Sequence, residues 1–254
     1  MTVVTTMGSS PGTVTWLGHG SLLLTTESGT KIVFDPWLEG NPKYPFESTD
    51  LGKVDGIAVT HGHFDHMSSV APLAEATGAT VISTPEMSAY FASLGVGNLV
   101  EMNKGGTVEV ADVSLTMVAA DHSCGVTVGE ATPNVYGGDP VGFIVQIKGA
   151  STGPIYVSGD TNVFGDMAII RDLYHPEIGF FPIDGHYNMG PREAAYAVDL
   201  LGLSRAVPIH FGTFPLLAGT PEQLVDHLKA RDSAAQAVVI APGDNVPLSP
   251  ADSQ

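Results

Sequence analysis

The sequence predicts an α/β protein in which two β/α halves pack their sheets face to face beneath layers of helices. Strand-like runs rich in β-branched and apolar residues alternate with helix-like segments up to Ala120, and the same alternation begins again at Val141. A stretch rich in Gly, Pro and Thr, Gly125–Pro140, separates the two series and is predicted to be a long loop. Two alternating series around one loop are typical of layered architectures in which helices cover each sheet.

The N-terminal half is predicted to begin with strands and then to alternate strands with helices. Glycine-containing turns separate the first three runs, and a β-branched run then leads into a segment rich in histidine. Pro85 suits the first turn of a helix, with Thr84 as its N-cap. The predicted strands are Thr13–Leu17, Ser21–Thr26, Lys31–Phe34, Gly56–Thr60, Thr80–Ser83, Thr107–Val110 and Val113–Ala120, and the predicted helices are Met67–Thr77 and Pro85–Leu94.

The C-terminal half repeats the alternation, and about the last dozen residues are predicted to be irregular. Residues 1–12 are predicted to be a disordered tail and residues 13–250 a single domain. A chain of 254 residues, 43% of them hydrophobic, is long enough to bury a sizeable core. The predicted strands are Val141–Lys148, Ile155–Ser158, Ile178–Pro182, Ala206–His210 and Ala237–Ile240, and the predicted helices are Phe164–Leu173, Pro191–Leu201 and Pro221–Ala230.

Composition narrows the set of partners. The formal net charge is −17, from 27 acidic and 10 basic residues, so we expect neither nucleic acid nor an anionic membrane as a partner. No apolar run approaches the ~18–20 residues of a membrane span, and the N-terminus lacks the pattern of a secretory signal. Cys124 is the only cysteine, so no intrachain disulfide can form, which fits a cytoplasmic protein.

The segment Thr60–His66, with the sequence THGHFDH, is the main chemical feature. Its imidazole and carboxylate groups suit zinc and neighbouring first-row metals. The period-two spacing of His61 and His63 on extended chain lets both grip one ion, while Asp65 and His66 follow where the chain bends into a helix. The alternative is a chance cluster or helix-capping polar residues, although four such groups are costly to bury unless something binds them.

Three further residues of ligand type stand at the ends of apolar strands. His122 follows the run Val113–Ala120, Asp160 follows Ile155–Ser158, and His210 ends Ala206–His210. Each alone could be an ordinary polar residue at a strand end. Together with the histidine-rich segment they form a repeated pattern, and we expect these strand ends to converge on one edge of the sheets.

The HGHFDH motif resembles the HxHxDH motif of the metallo-β-lactamase superfamily, and the resemblance extends over nearly the whole chain. The further motifs are similar to those of the branch of metal-dependent hydrolases related to ascorbate-phosphate lactonase. They are WLGHGS at Trp16–Ser21, FDPW at Phe34–Trp37, ADHS at Ala120–Ser123, SGDTNVFGDM at Ser158–Met167, PIDGHYNMGP at Pro182–Pro191 and PIHFGTFP at Pro208–Pro215.

The resemblance implies an αββα sandwich of two packed mixed β-sheets with outer helices, holding two divalent metal ions at one edge. Zn is the expected metal, while Mn, Fe and Ni accept similar donors. By matching motifs, Asp160 bridges the two ions. The remaining ligands implied are His61, His63 and His122 for the first ion, and Asp65, His66 and His210 for the second.

The implied chemistry is hydrolysis by a metal-bridging hydroxide. Asp65 is expected to carry a proton to the leaving group, as is typical of the superfamily. His186 is the candidate for a substrate contact or general acid, with a surface loop histidine as the alternative. His19 and Asp35 are candidates to orient the ligand histidines, and turn roles are equally compatible. The resemblance also leaves room for a homo-oligomer.

A small-molecule ester or lactone is the predicted substrate, because basic residues are scarce near the motifs. The alternatives are a phosphodiesterase acting on a nucleotide or phospholipid, and a non-hydrolytic metal-binding or redox protein. The loop Trp37–Phe46 is predicted to form a wall of the substrate pocket, because it combines turn residues with aromatic ones. The aromatic residues expected to shape the pocket are Trp37, Tyr44, Phe46, Tyr136, Tyr187 and Phe214. Cys124, beside a ligand motif, could bind metal or oxidise.

Overall fold

The computed structural model describes residues 12–127 and 134–248. The predicted tail, residues 1–12, lies outside them except for Gly12, which begins the first strand. Elements of the N-terminal half are β1 (Gly12–Trp16), β2 (Leu22–Thr26), β3 (Lys31–Phe34), β4 (Gly56–Ala58), α1 (Phe64–Met67), α2 (Val70–Thr77), β5 (Thr80–Ser83), α3 (Pro85–Ser93), β6 (Leu99–Glu101), β7 (Thr107–Val110) and β8 (Val113–Ala119).

The second half begins with a short two-stranded ribbon that is separate from the main sheets. Its elements are β9 (Gly125–Val126), β10 (Val135–Tyr136), β11 (Val141–Ile147), β12 (Ile155–Val157), α4 (Met167–Tyr174), β13 (Ile178–Pro182), α5 (Pro191–Leu201), β14 (Arg205–Ile209), α6 (Pro221–Ala230), β15 (Gln236–Ala237) and β16 (Asn245–Pro247).

Two seven-stranded sheets form the centre of the molecule. The first has the order β16-β1-β2-β3-β4-β5-β6 and the second the order β15-β14-β13-β12-β11-β8-β7. Each sheet is mixed, with parallel pairing among β3 to β6 and among β12 to β15, and antiparallel pairing elsewhere. The central parallel strands β4, β12, β13 and β14 are buried along their whole length, because helices cover their outer faces.

The apolar core lies between the sheets. Inward-facing side chains of both sheets form one cluster, within which the rings of Phe34 and Phe143 are 6.1 Å apart. A second cluster joins α2 and α3 to the outer face of the first sheet, and a third joins α4, α5 and α6 to the outer face of the second. This four-layer arrangement confirms the predicted αββα sandwich.

The predicted helix Met67–Thr77 is in fact two helices, and the break has a local cause. The backbone N–H of Ser69 donates to the carbonyl of Pro36, and its Oγ accepts the N–H of Leu38 at 2.9 Å. Ser69, which lies between α1 and α2, is therefore bonded to the loop that follows β3, and the helix is interrupted there. The helix predicted from Phe164 begins at Met167 instead.

The prediction of an irregular C-terminus is wrong for residues 245–247, because β16 pairs antiparallel with β1, while residues 249–254 lie outside those described. Val246 and Leu248 are fully buried in the core between the sheets. The strand β6 was likewise not predicted. Both have three residues, too few for an alternating pattern to stand out. None of the helices within residues 12–127 and 134–248 is long and apolar enough to cross a bilayer.

The C-terminal segment should contribute strongly to stability. We expect Leu248→Ala to lower the free energy of unfolding by about 2–5 kcal/mol, because it empties a fully buried site. The control Leu173→Ala removes the same atoms from a side chain that is 65% exposed on α4, and should change it by less than about 0.5 kcal/mol. Equal values in denaturant titrations would show that the C-terminus does not pack in the core.

Candidate metal centre

The polar residues singled out in the sequence follow strands that run in the same direction. In the first sheet β1, β3 and β4 are mutually parallel in direction, and in the second sheet so are β8, β12, β13 and β14. Their carboxyl ends meet at one edge of the sandwich, which is where open α/β sheets usually bind ligands. The residues placed there are His19, Asp35, His61, His122, Asp160, Asp184 and His210.

The first group of donor atoms comes from His61, His63, His122 and Asp160, whose ligand atoms all lie within 4.8 Å of one another. His63 Nδ1 lies 3.0 Å from His61 Nε2 and 3.3 Å from His122 Nε2. Asp160 Oδ2 completes the group at 3.7 Å from His122 Nε2 and 4.0 Å from His61 Nε2. The structure thus brings together the residues predicted for the first ion.

The second group comprises Asp65, His66 and His210, and a ring nitrogen of His19 lies close to their donor atoms. Asp160 stands between the two groups. Its Oδ1 lies 3.3 Å from His66 Nε2, and its Oδ2 lies 3.4 Å from His210 Nε2 while also facing the first group. This is the position that a carboxylate bridging two ions would need.

The donor atoms fit a cation better than they fit one another. Within the described part of the chain, His66 Nε2 and His210 Nε2 are buried without a hydrogen-bond partner. Buried nitrogens left unpaired are costly, and nitrogen atoms that converge on the same point repel. Imidazole and carboxylate donors in this number suit divalent first-row metals.

A layer of outer contacts holds the ring orientations. His66 Nδ1 donates to Asp35 Oδ2 at 2.9 Å, which leaves its Nε2 lone pair facing the centre. Asp35 also accepts the N–H of Thr60 at 2.7 Å, and Thr60 Oγ1 lies 3.0 Å from His61 Nδ1. Such contacts select the tautomer of a ligand histidine. The expected contact of Asp35 with a ligand histidine is therefore present.

Asp184 lies behind His210 as Asp35 lies behind His66, and it was not predicted. Its Oδ2 lies 3.1 Å from His210 Nδ1, and its Oδ1 accepts the N–H groups of His186 and Tyr187 at 2.9 and 2.8 Å. The sequence did contain a signal, because Asp184 closely follows β13 as Asp160 follows β12. The carboxylate connects the metal centre to the loop that carries His186.

The electrostatics around His66 and His210 favour positive charge, because neighbouring carboxylates raise the pKa of both rings. Burial lowers the pKa of His210, but Asp160 and Asp184 outweigh it and raise the pKa to about 9. Burial alone would raise the pKa of Asp160, yet His210 and His66 hold it well below its ordinary range. Surroundings that stabilise a proton on these nitrogens would also stabilise a metal ion in its place.

His19 corrects one expectation. It does not hydrogen-bond to a ligand histidine; its Nε2 lies 2.8 Å from Asp65 Oδ2. Because a carboxylate only accepts, Nε2 carries the proton and Nδ1 accepts from Thr213 Oγ1 at 2.9 Å. His19 has φ +54°, and the adjacent Gly20 is required because a Cβ there would lie 2.5 Å from the ring of His66. No sequence pattern indicates Thr213, since the contact spans distant parts of the chain.

A cavity of about 850 Å³ opens onto both groups of donors. His186 lines it, as a substrate contact would, with its side chain exposed to solvent. Two of the six aromatic residues predicted to shape the pocket, Tyr187 and Phe214, also line it.

The prediction that Trp37–Phe46 forms a wall of the pocket is wrong, because no residue of this loop lines the cavity. Trp37 is buried and packs against Phe64 and Phe214, which line the cavity. Tyr44 and Phe46 pack on each other. Part of the long loop Gly125–Pro140 lies outside the described residues. Cys124 is buried between the N–H of Gly62 and the carbonyl of Gly137, outside both donor groups.

The αββα sandwich with paired His and Asp donors at one edge defines a class of metal-binding folds, and comparison with known proteins agrees. The family described as "Beta-lactamase superfamily domain" matches residues 30–211. The chain belongs to this superfamily and, within it, to the UPF0173 metal-dependent hydrolase family. It is 44% identical over 219 residues to the member from Koribacter versatilis, covering 86% of this chain and 92% of that protein.

Two further proteins support the assignment. The family member from Rubrobacter xylanophilus is 42% identical over 233 residues, covering 92% of this chain and 95% of that protein. Among solved structures, a metallo hydrolase from the archaeon Ignicoccus hospitalis superposes with a TM-score of 0.81 at 28% identity. That superposition covers 92% of this chain and 97% of the archaeal chain.

Removal of the carboxylate between the donor groups should abolish metal binding. We expect Asp160→Ala to lose bound metal, measured as ions per chain by elemental analysis after dialysis, and to lose at least about 10²-fold in activity. Asp172→Ala, a matched change at an exposed carboxylate on α4, should retain the wild-type metal content. Full metal occupancy in Asp160→Ala would exclude a bridging role.

The hydroxyl of Thr213 should matter through His19. Thr213→Val keeps the shape but removes the donor to Nδ1, so the ring is free to change tautomer and to release Asp65. We expect metal affinity, measured by competition with a chelator, to fall about tenfold in Thr213→Val and to stay near wild type in Thr213→Ser. Indistinguishable affinities for the two variants would show that the contact does not support the centre.

Proposed function

We propose that the protein is a dinuclear metal-dependent hydrolase of a small-molecule ester or lactone. The observation that carries this proposal is the position of Asp160, whose carboxylate faces two groups of donors at the base of an open cavity. The names of its relatives in the UPF0173 family and of the archaeal structure, all metal-dependent or metallo hydrolases, support the same class of activity.

Two divalent ions, when bound, supply an acidified water and polarise a carbonyl oxygen, which is what hydrolysis near neutral pH needs. The chain's own residues then orient the reactants and move the proton. His19 holds Asp65 through Oδ2, so the carboxylate keeps one orientation at the cavity floor. From there its Oδ1 would take the proton of the attacking water and return it to the leaving group.

His186 is the proposed contact for the leaving group. Its ring lines the cavity on the loop that Asp184 holds, so its backbone is fixed relative to His210 although its side chain reaches solvent. A histidine in this place can donate a hydrogen bond to the departing oxygen. A small-molecule substrate in the cavity would therefore lie within reach of both the donor groups and His186.

The charges of the cavity favour an uncharged ester or lactone over a phosphodiester. None of the described residues that line the cavity is Lys or Arg, whereas two of them, Asp65 and Asp160, carry carboxylates. Phosphoryl groups are usually bound by such cations. The motifs also suggest a relation to ascorbate-phosphate lactonase; of that relation the proposal keeps the lactone chemistry and not the phosphorylated substrate.

A substrate panel tests the proposal. After loading with Zn or Mn, the protein should hydrolyse lactones and 4-nitrophenyl esters at least about tenfold faster, by kcat/KM, than bis-4-nitrophenyl phosphate. A chelator should abolish the activity and added metal should restore it, because the ions supply the nucleophile.

Asp160→Ala purified in parallel controls for contaminating esterases. Faster turnover of the phosphodiester would favour the phosphodiesterase alternative. Full metal loading with no turnover of any substrate would favour the non-hydrolytic alternative.

A further inference from the structure

One side of the cavity is apolar, and its apolar side chains are unusually exposed. The apolar part of the lining is formed by Phe64, Phe214, Leu216 and Leu217 together with Tyr187, and is here called the apolar wall. Phe64, Leu216 and Tyr187 are 56%, 55% and 59% exposed. Large apolar side chains gathered at one opening, rather than scattered singly, indicate a surface that a ligand covers.

The apolar wall is held rigidly from behind. Trp37 is buried and stacks on Phe214 with the ring centroids 5.9 Å apart and the planes 23° from parallel. The same indole meets Phe64 edge-on at 5.5 Å. Both phenyl rings therefore rest on one buried side chain, so little conformational entropy is lost when a ligand covers them.

The apolar wall is continuous with the metal centre. Phe64 directly precedes Asp65 in the histidine-rich segment. Phe214 directly follows Thr213, whose hydroxyl bonds His19. A substrate group that lies on the apolar wall is therefore next to the residues of the metal centre. The cavity volume of about 850 Å³ is near the upper end of the range of about 300–1,000 Å³ for small-molecule sites, so a small ring alone leaves much of it unfilled.

We propose that the apolar wall is an acyl subsite, and that the substrate is an uncharged ester or lactone bearing an aliphatic or aryl chain that lies on Phe64, Phe214 and Leu216. This inference rests on the proposed function, since it extends the same site. The aliphatic or aryl group of the substrate excludes water from the apolar wall, while its carbonyl group faces Asp65 and the donor groups.

The test uses metal-loaded protein and straight-chain hydroxamic acids from acetohydroxamic to octanohydroxamic acid, which place the same chelating group on chains of different length. Isothermal titration calorimetry should show the dissociation constant falling at least about tenfold across the series, because each buried methylene strengthens binding about threefold to fourfold. Leu216→Asn should flatten this dependence. Leu173→Asn, an equally conservative change at an exposed leucine on α4, should leave it intact.

The two ideas can fail separately. Equal dissociation constants for acetohydroxamic and octanohydroxamic acid, or an unchanged dependence in Leu216→Asn, would overturn the acyl subsite even if esters are hydrolysed. Conversely, tighter binding of the long chain by a protein that turns over no ester would leave the subsite standing and overturn the proposed function.

Discussion

The convergence of histidine nitrogens and carboxylate oxygens at one edge of the sandwich is the constraint around which the rest of the molecule is arranged. His61, His63 and His122 direct nitrogens at one another across 3.0–3.3 Å, and His66 and His210 direct theirs at Asp160. Such an assembly is unfavourable in isolation, because buried polar atoms need partners. Thr60 bonds His61 and Asp35 bonds His66 on the far side of each ring, and Asp184 lies 3.1 Å from His210 Nδ1. A cation can satisfy the inward-facing atoms together.

The packing of the two sheets brings these donor atoms together. The donors come from loops after β4, β8, β12 and β14, so they belong to both sheets, and the apolar core between the sheets sets the distance between the loops. Close-packed cores resist small displacements, which gives the centre its rigidity. Asp35 and Asp184 act symmetrically in this arrangement, one from each sheet, each orienting a histidine of the second donor group.

The cavity has two faces with different tasks. The lining of the cavity includes the donors and His186 as its polar part and the apolar wall as its apolar part, and His186 packs against Tyr187 where the two parts meet. The segment from His210 to Leu217 contributes to both, because it supplies a donor, the hydroxyl that holds His19 and three residues of the wall. A substrate seated on the wall would therefore touch a segment that also supports the metal centre.

The sequence by itself determined the αββα class, most strand and helix positions, and which residues of ligand type gather at one edge of the sheets, because these depend on local patterns. Apolar periodicity marks β13 and α5 to the residue, and the spacing of HGHFDH is legible without any fold. Only the tertiary structure placed β16 beside β1, showed Asp184 behind His210, and put Trp37 behind the wall instead of on it. These depend on contacts between residues far apart in the chain, and whether a polar or aromatic side chain is ligand, support or lining is decided by its neighbours in space rather than by its neighbours in sequence.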